Sequence, residues 1–341
     1  MNDYLRWMAD ATASVWWNDS ADFAELDAAL VSGATGVTTN PVLVCKTLYD
    51  NPEFWKPYLA DFDTSLRGSE RVEELIRRVT IAVAEKLMPI HRAGKGGYVC
   101  AQVDPTKAAD RDAMLKMARR LHEWAPNIAV KLPVTAAGLD VLQQCAAEGI
   151  TVTATVSFTT PQAVAIGDRY QKGLQQCREA GRTPGDCFAV VMVGRIDDYI
   201  RDVVRDNGLD HVLESDIIQC GSAIMKRSLA IFAERGYEAI LMPAGMRGAY
   251  HVTDLCGSAI TMSIHPKIQK LLTPIEQPFA ETYVKGVDEE AIARLMTVKE
   301  FVRAYEPDGM TDKEFIGFGV VQKTLAQFIE NWNLIGAYPV R

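Results

Sequence analysis

The chain has 341 residues, 48% of them hydrophobic and 23% charged, and a net charge of −8. That length can bury a full core, as one large barrel-like domain or two ordinary ones, and the composition excludes disordered, collagen-like and low-complexity classes. The acidic balance argues against a nucleic-acid or anionic-membrane surface, while local basic pockets for small anions remain open.

Along the chain, short β-branched apolar runs recur, each followed by an amphipathic stretch. The runs are SVWWND (14–19), GVTTN (36–40), GYVCAQVD (97–104), IAVKLPV (128–134), ITVTATVSF (150–158), CFAVVMVGR (187–195), EAILMPAG (238–245) and SAITMSI (258–264). Most are near-continuous rather than alternating, which suits parallel strands covered on both faces. The intervening stretches read as helices. After Asp104 an apolar stripe of Met114, Met117, Ala118 and Leu121 has helical spacing, with Asp104 as N-cap and Pro105 at the first helical position. Thr160-Pro161 repeats that device after the fifth run. Eight strand–helix units predict an α/β chain folded as a single-domain (β/α)8 TIM barrel over about residues 10–270. A C-terminal extension, about 271–341, carries helices over 288–306 and 311–332 that pack outside the barrel or mediate association. An open doubly wound sheet is the alternative, but GxGxxG and GxxxxGK[ST] are absent, as are HExxH and GxSxG.

Seven cysteines (Cys45, Cys100, Cys145, Cys177, Cys187, Cys220 and Cys256) are scattered, with no CxxC or zinc-ligand spacing. The N-terminus MNDYLRWMAD carries acids where a signal peptide has basic residues, and the longest uncharged stretch, 149–167, is broken by Pro161. The expectation is a soluble, reduced, cytoplasmic protein with no metal, no nucleic-acid partner and no membrane partner.

In a barrel, chemistry gathers at the C-terminal ends of the strands. Those positions hold Asp19, Asn40, Gln102, Lys131, Thr153, Thr155 and Arg195, with Arg247 just beyond the seventh run. Lys131 interrupts an apolar strand. A buried amine is disfavoured in its charged form, which would make it nucleophilic near neutrality; the plain alternative is a lysine paired with Asp19 or Asp104. Asp19 follows Val15-Trp16-Trp17 and reads either as a proton-transfer carboxylate in a low dielectric or as the N-cap of a helix beginning near Ala21. Thr38-Thr39-Asn40-Pro41 offers donors and acceptors to a hydroxylated ligand, or simple turn chemistry. Arg195 and Arg247, on separate loops, could clamp a phosphate; equally, Asp197 and Asp198 could pair with Arg195 at the surface. The dispersed histidines read as surface or core residues.

Together these segments resemble the transaldolase family over nearly the whole chain: GVTTNPVLV (36–44), IAVKLPVT (128–135), GITVTATVSFTTPQA (149–163) and VGRIDD (193–198). The resemblance implies a barrel whose Lys131 forms a Schiff base with a ketose phosphate, without metal or organic cofactor. It implies Asp19 as acid/base, Thr38 and Asn40 on the dihydroxyacetone unit, Thr155 on a catalytic water, and Arg195 with Arg247 on the substrate phosphate. Sugar phosphates as partners, a homodimer through the C-terminal helices, and a place in carbohydrate metabolism such as the pentose phosphate pathway are further implications. The chain departs from the family at four places. Gln102 stands where most transaldolases carry a glutamate, as it does in fructose-6-phosphate aldolases, yet Met192 occupies those aldolases' tyrosine position. Thr153 replaces an asparagine and Val190 a serine. Transfer of a dihydroxyacetone unit is the leading expectation, a lyase releasing free dihydroxyacetone the second, and a non-catalytic sugar-phosphate-binding barrel the third.

Overall fold

The computed structural model describes residues 1–340, and its strands run parallel around one ring. They are β1 (Val15–Asn18), β2 (Val99–Gln102), β3 (Ile128–Pro133), β4 (Val152–Thr155), β5 (Cys187–Val191), β6 (Ile240–Pro243) and β7 (Thr261–Ile264). The ladder β2-β3-β4-β5-β6 forms one arc and β1-β7 another. Val37 joins them, bridging to Asn18 on one side and Val99 on the other, and β6 packs beside β7 to complete the circuit. The fold is the expected (β/α)8 barrel.

All the runs give shorter strands than their full extent, and two of them are cut short for a clear local reason. GVTTN gives a single bridging residue because Asn40 and Pro41 start a helix, Pro41–Asp50, at once; Asn40 caps it by accepting the Val42 and Leu43 amides at 2.9 and 3.1 Å. ITVTATVSF stops at Thr155 because Val156 turns to φ 55°, a left-handed conformation costly for a β-branched residue. Gln162, wholly buried, holds that turn: its Nε2 donates to the Val134 and Val156 carbonyls and its Oε1 accepts the Phe158 amide.

Helix starts also shift. Asp104 caps only a 3-10 turn, Pro105–Lys107, and the helix proper, Arg111–His122, begins behind Asp110. Thr159, one residue earlier than expected, caps the helix Thr160–Glu179. The C-terminal segments are four shorter helices, Glu289–Leu295, Lys299–Tyr305, Asp312–Phe315 and Gly319–Gly336. Thr297-Val298 breaks the first pair and Gly317-Phe318-Gly319 the second, residues of low helix propensity. The last helix lies on Pro41–Asp50, on Gly68–Arg92 and on the Pro105–Lys107 turn.

Alternate residues of each strand face the barrel axis. At the N-terminal end Trp17, Tyr98 and Phe188 fill it, with ring centroids 4.5 Å apart for Trp17–Phe188, 5.8 Å for Tyr98–Phe188 and 6.2 Å for Trp17–Tyr98. Gly36 is required here: a Cβ would come within 2.6 Å of the Trp17 indole.

Candidate active site

Above the aromatic floor the inward positions turn polar. Strand register sets Gln102 beside Lys131 and Lys131 beside Thr153, with Thr155 one inward step higher. All four are buried, Lys131 at 6% exposure. Its Nζ donates to the Thr39 carbonyl at 3.1 Å, and among the described residues no carboxylate forms an ion pair with it. Pairing with Asp19 or Asp104 is thus not the reason for this lysine. Thr39 is itself fixed, its hydroxyl donating to the Cys100 carbonyl at 2.6 Å.

Asp19 is not a helix cap, since the following helix, Phe23–Val31, is capped by Asp22. Instead Asp19 accepts the Thr38 hydroxyl at 2.6 Å, and Thr38 in turn lies 2.6 Å from the Ser263 hydroxyl on β7. One Asp19 oxygen is thereby oriented by a buried Thr38–Ser263 couple. Both Lys131 and Asp19 act on the Cys100 thiol, which burial pushes up while Lys131 opposes and Asp19 adds to the rise. Cys100 lies 3.4 Å from the Thr153 hydroxyl, directly below the lysine's level. The amine, the carboxylate and Thr153 therefore share the upper part of the barrel interior, above Cys100.

Gln102 carries a buried carbonyl oxygen with no partner, a polar atom facing that chamber and free to orient a small hydroxylated molecule. Asn40 spends its Oδ1 on the helix cap, so only its amide NH2 is left to donate to a ligand. Val190 and Met192 are buried on the inward side of the β5 end.

At the rim, the helix Val193–Asp206 begins behind Met192 with no side-chain cap, and the Arg195 amide bonds back to the Met192 carbonyl at 3.1 Å. Arg195 makes no ion pair with Asp197 or Asp198. Asp197 is fully buried on the other side of the helix, and Asp198 instead pairs with Arg247, Nε to Oδ2, at 2.7 Å. Arg195 donates to Gln327 of the C-terminal helix at 2.8 Å and lies over the Phe328 ring. Burial, then the adjacent Arg247, lowers the Arg195 pKa from its ordinary value. Two guanidiniums that crowd each other, one with no carboxylate partner among the described residues, form a ready site for an anion. Gly194 permits the approach: a Cβ there would stand 2.5 Å from the Gly245 carbonyl and 2.6 Å from the Arg247 side chain.

The profile described as Transaldolase/Fructose-6-phosphate aldolase matches residues 16–336. The chain belongs to this family. It is 33% identical over 215 residues to a transaldolase of Thermobifida fusca, covering 58% of this chain and 56% of that protein. It is 29% identical over 273 residues to a transaldolase of Saccharopolyspora erythraea, covering 72% and 69%. It is 30% identical over 265 residues to transaldolase 1 of Streptomyces avermitilis, covering 71% and 67%. The chain thus spans little more than half the length of the Thermobifida protein.

Position at the strand ends marked Lys131, Asp19 and the two arginines, Lys131 and Arg195 also falling within family-like motifs, and the fold brings all four to one end of the barrel. Ser263 and Gln327 went unmarked. Ser263 had a signal, a second inward hydroxyl after Thr261 in the last strand; Gln327 had none, sitting mid-helix 132 residues from its partner. Among the described residues no cluster of three or more His, Cys, Asp or Glu could hold a metal, and no helix is long and apolar enough to cross a membrane.

Proposed function

We propose that this chain transfers a dihydroxyacetone unit from a ketose phosphate to an aldose phosphate through a Schiff base on Lys131. The observation that carries the reading is Lys131 itself: a buried amine with no carboxylate partner among the described residues, flanked by Gln102 and Thr153 in the upper barrel interior. The amine adds to the ketose carbonyl and water leaves, giving the protonated Schiff base. Asp19, held by Thr38, takes the proton of the C4 hydroxyl as the C3–C4 bond breaks, and the aldose phosphate departs. The three-carbon eneamine stays on Lys131 and attacks the acceptor aldehyde, which takes its proton back from Asp19; water then frees the new ketose. Asn40 donates to the bound unit, Thr155 and Gln102 orient the water, and Arg195 with Arg247 hold the phosphate. Thr38 acts through Asp19 rather than on the sugar.

A specific observation favours a lyase as second reading. The Gln102 carbonyl is unpartnered and buried, so it can hold the water that would release dihydroxyacetone. Incubation with fructose 6-phosphate, with and without erythrose 4-phosphate, decides between them. Sustained glyceraldehyde-3-phosphate release only with acceptor supports transfer, release without it supports the lyase, and no borohydride inactivation in the presence of ketose would sink both. The same reading places the chain in the cytoplasm, in keeping with seven buried free cysteines, and in a homodimer, which a solution mass would test.

A further inference from the structure

Behind the two arginines, and away from the chamber, lies a wholly buried pair. Asp197 and His251 are each 0% exposed, with His251 Nε2 2.9 Å from Asp197 Oδ2, a close contact too bent to count as a hydrogen bond. The other Asp197 oxygen accepts the Gly221 amide at 2.8 Å, and the Tyr250 hydroxyl reaches Oδ2 at 3.4 Å. The His251 ring thus sits against a fixed carboxylate. Its second nitrogen, Nδ1, accepts the backbone N–H of Arg247 at 3.2 Å. A backbone donor at Nδ1 requires a lone pair there, so the ring proton stands on Nε2, facing Asp197.

Asp197 is two residues from Arg195 on the helix that opens at the rim, and His251 is four residues from Arg247 on the loop that follows β6. The pair therefore ties together the two segments that carry the guanidiniums. The same two segments are also joined outside the core by Arg247. Its guanidinium turns back onto the Gly245 carbonyl at 2.8 Å and out to Asp198, and Gly245 takes φ 63° to make the turn.

We infer that the buried Asp197–His251 pair is a positioning device for the phosphate grip, setting where Arg247 stands relative to Arg195. This rests on the proposed role of the arginines in holding a phosphate. It acts on binding of the phosphorylated end and not on the chemistry at Lys131. Neither residue touches substrate.

Two substitutions separate this role from simple packing. In His251→Asn the side-chain oxygen takes the place of Nδ1 and can still accept the Arg247 N–H; in His251→Gln the amide takes the place of Nε2 and that acceptor is lost. Inorganic phosphate binding is measured by calorimetry on the full chain, alongside KM and kcat for fructose 6-phosphate. Expected is a roughly tenfold loss of phosphate affinity and a similar rise in KM for His251→Gln, the loss of one directed hydrogen bond. Its kcat should change less than about twofold, and His251→Asn should stay near wild type. Equal phosphate affinity in wild type and both variants, with Arg247→Ala weakened, overturns this inference and leaves the arginine reading intact. Phosphate binding unchanged even in Arg247→Ala overturns the reading beneath it. Nitrogen-15 shifts of His251 in the wild-type chain test the pair whether or not the variants fold. They should report a proton on Nε2 alone, and a proton on Nδ1 would sink the proposal.

Discussion

The two ends of the barrel interior obey the same inward alternation and do opposite work. At the N-terminal end Trp17, Tyr98 and Phe188 meet as aromatic rings; one or two inward steps higher the strands of Trp17 and Tyr98 offer Asp19 and Gln102, and the adjoining β3 offers Lys131. The floor gains apolar burial and dispersion contacts, whereas the upper chamber buries an amine and an unpartnered carbonyl at a cost to stability. The floor therefore supports a site that is itself destabilising, and substitutions at the two levels should have opposite signatures.

The largest contrast is expected at Lys131. Lys131→Met should abolish activity and borohydride trapping outright while leaving the thermal midpoint unchanged or higher, because a similar volume is kept and a buried amine removed. A midpoint several degrees lower would mean that the lysine is structural. At the floor the reverse holds. Phe188→Ala should cost about 3–5 kcal/mol in denaturant unfolding, with near-normal turnover per folded molecule.

Thr38→Val sharpens the comparison within the chamber. Removing a donor to a carboxylate is worth roughly 1.5–3 kcal/mol, so kcat should fall about 10- to 100-fold while stability moves little. A loss confined to KM would return Thr38 to the sugar-contact role its motif suggests. A smaller effect belongs to neither level. Burial raises the Cys145 thiol from 9.0 to about 12, so the unfolded chain releases this proton first as pH rises. Folding stability should therefore decline between pH 9 and 12, by up to roughly 1.4 kcal/mol per pH unit from this group. Cys145→Ala should flatten that slope in alkaline denaturation curves.

Much of this was legible in the sequence because barrel strands announce themselves as apolar runs, against which a charged intruder stands out. Lys131 in IAVKLPV and Asp19 after Val15-Trp16-Trp17 are of that kind. What the sequence concealed was direction and partnership. Asp197 and Asp198 are adjacent in the chain, yet on a helix they project about 100° apart, so one is buried against His251 and the other pairs with Arg247. The Asp19 cap failed by three residues, since Asp22 offered the same chemistry nearer the apolar stripe. The end of the fifth run depended on a strained Val156 that side-chain type argues against, held by a Gln162 that reads as an ordinary helix residue.

The link from Asp19 through Thr38 to Ser263 also sets a condition in time. The Thr38 and Ser263 hydroxyls lie 225 residues apart in the chain, and β1 meets β7 only when the ring shuts. Contacts of such separation form late, because the loop they close is long. A refolding chain with β2 to β6 already laddered would have Lys131 and its neighbours in place but Asp19 unaimed. Recovery of turnover should then lag behind recovery of far-ultraviolet dichroism, with ring closure acting as the step that switches the carboxylate on.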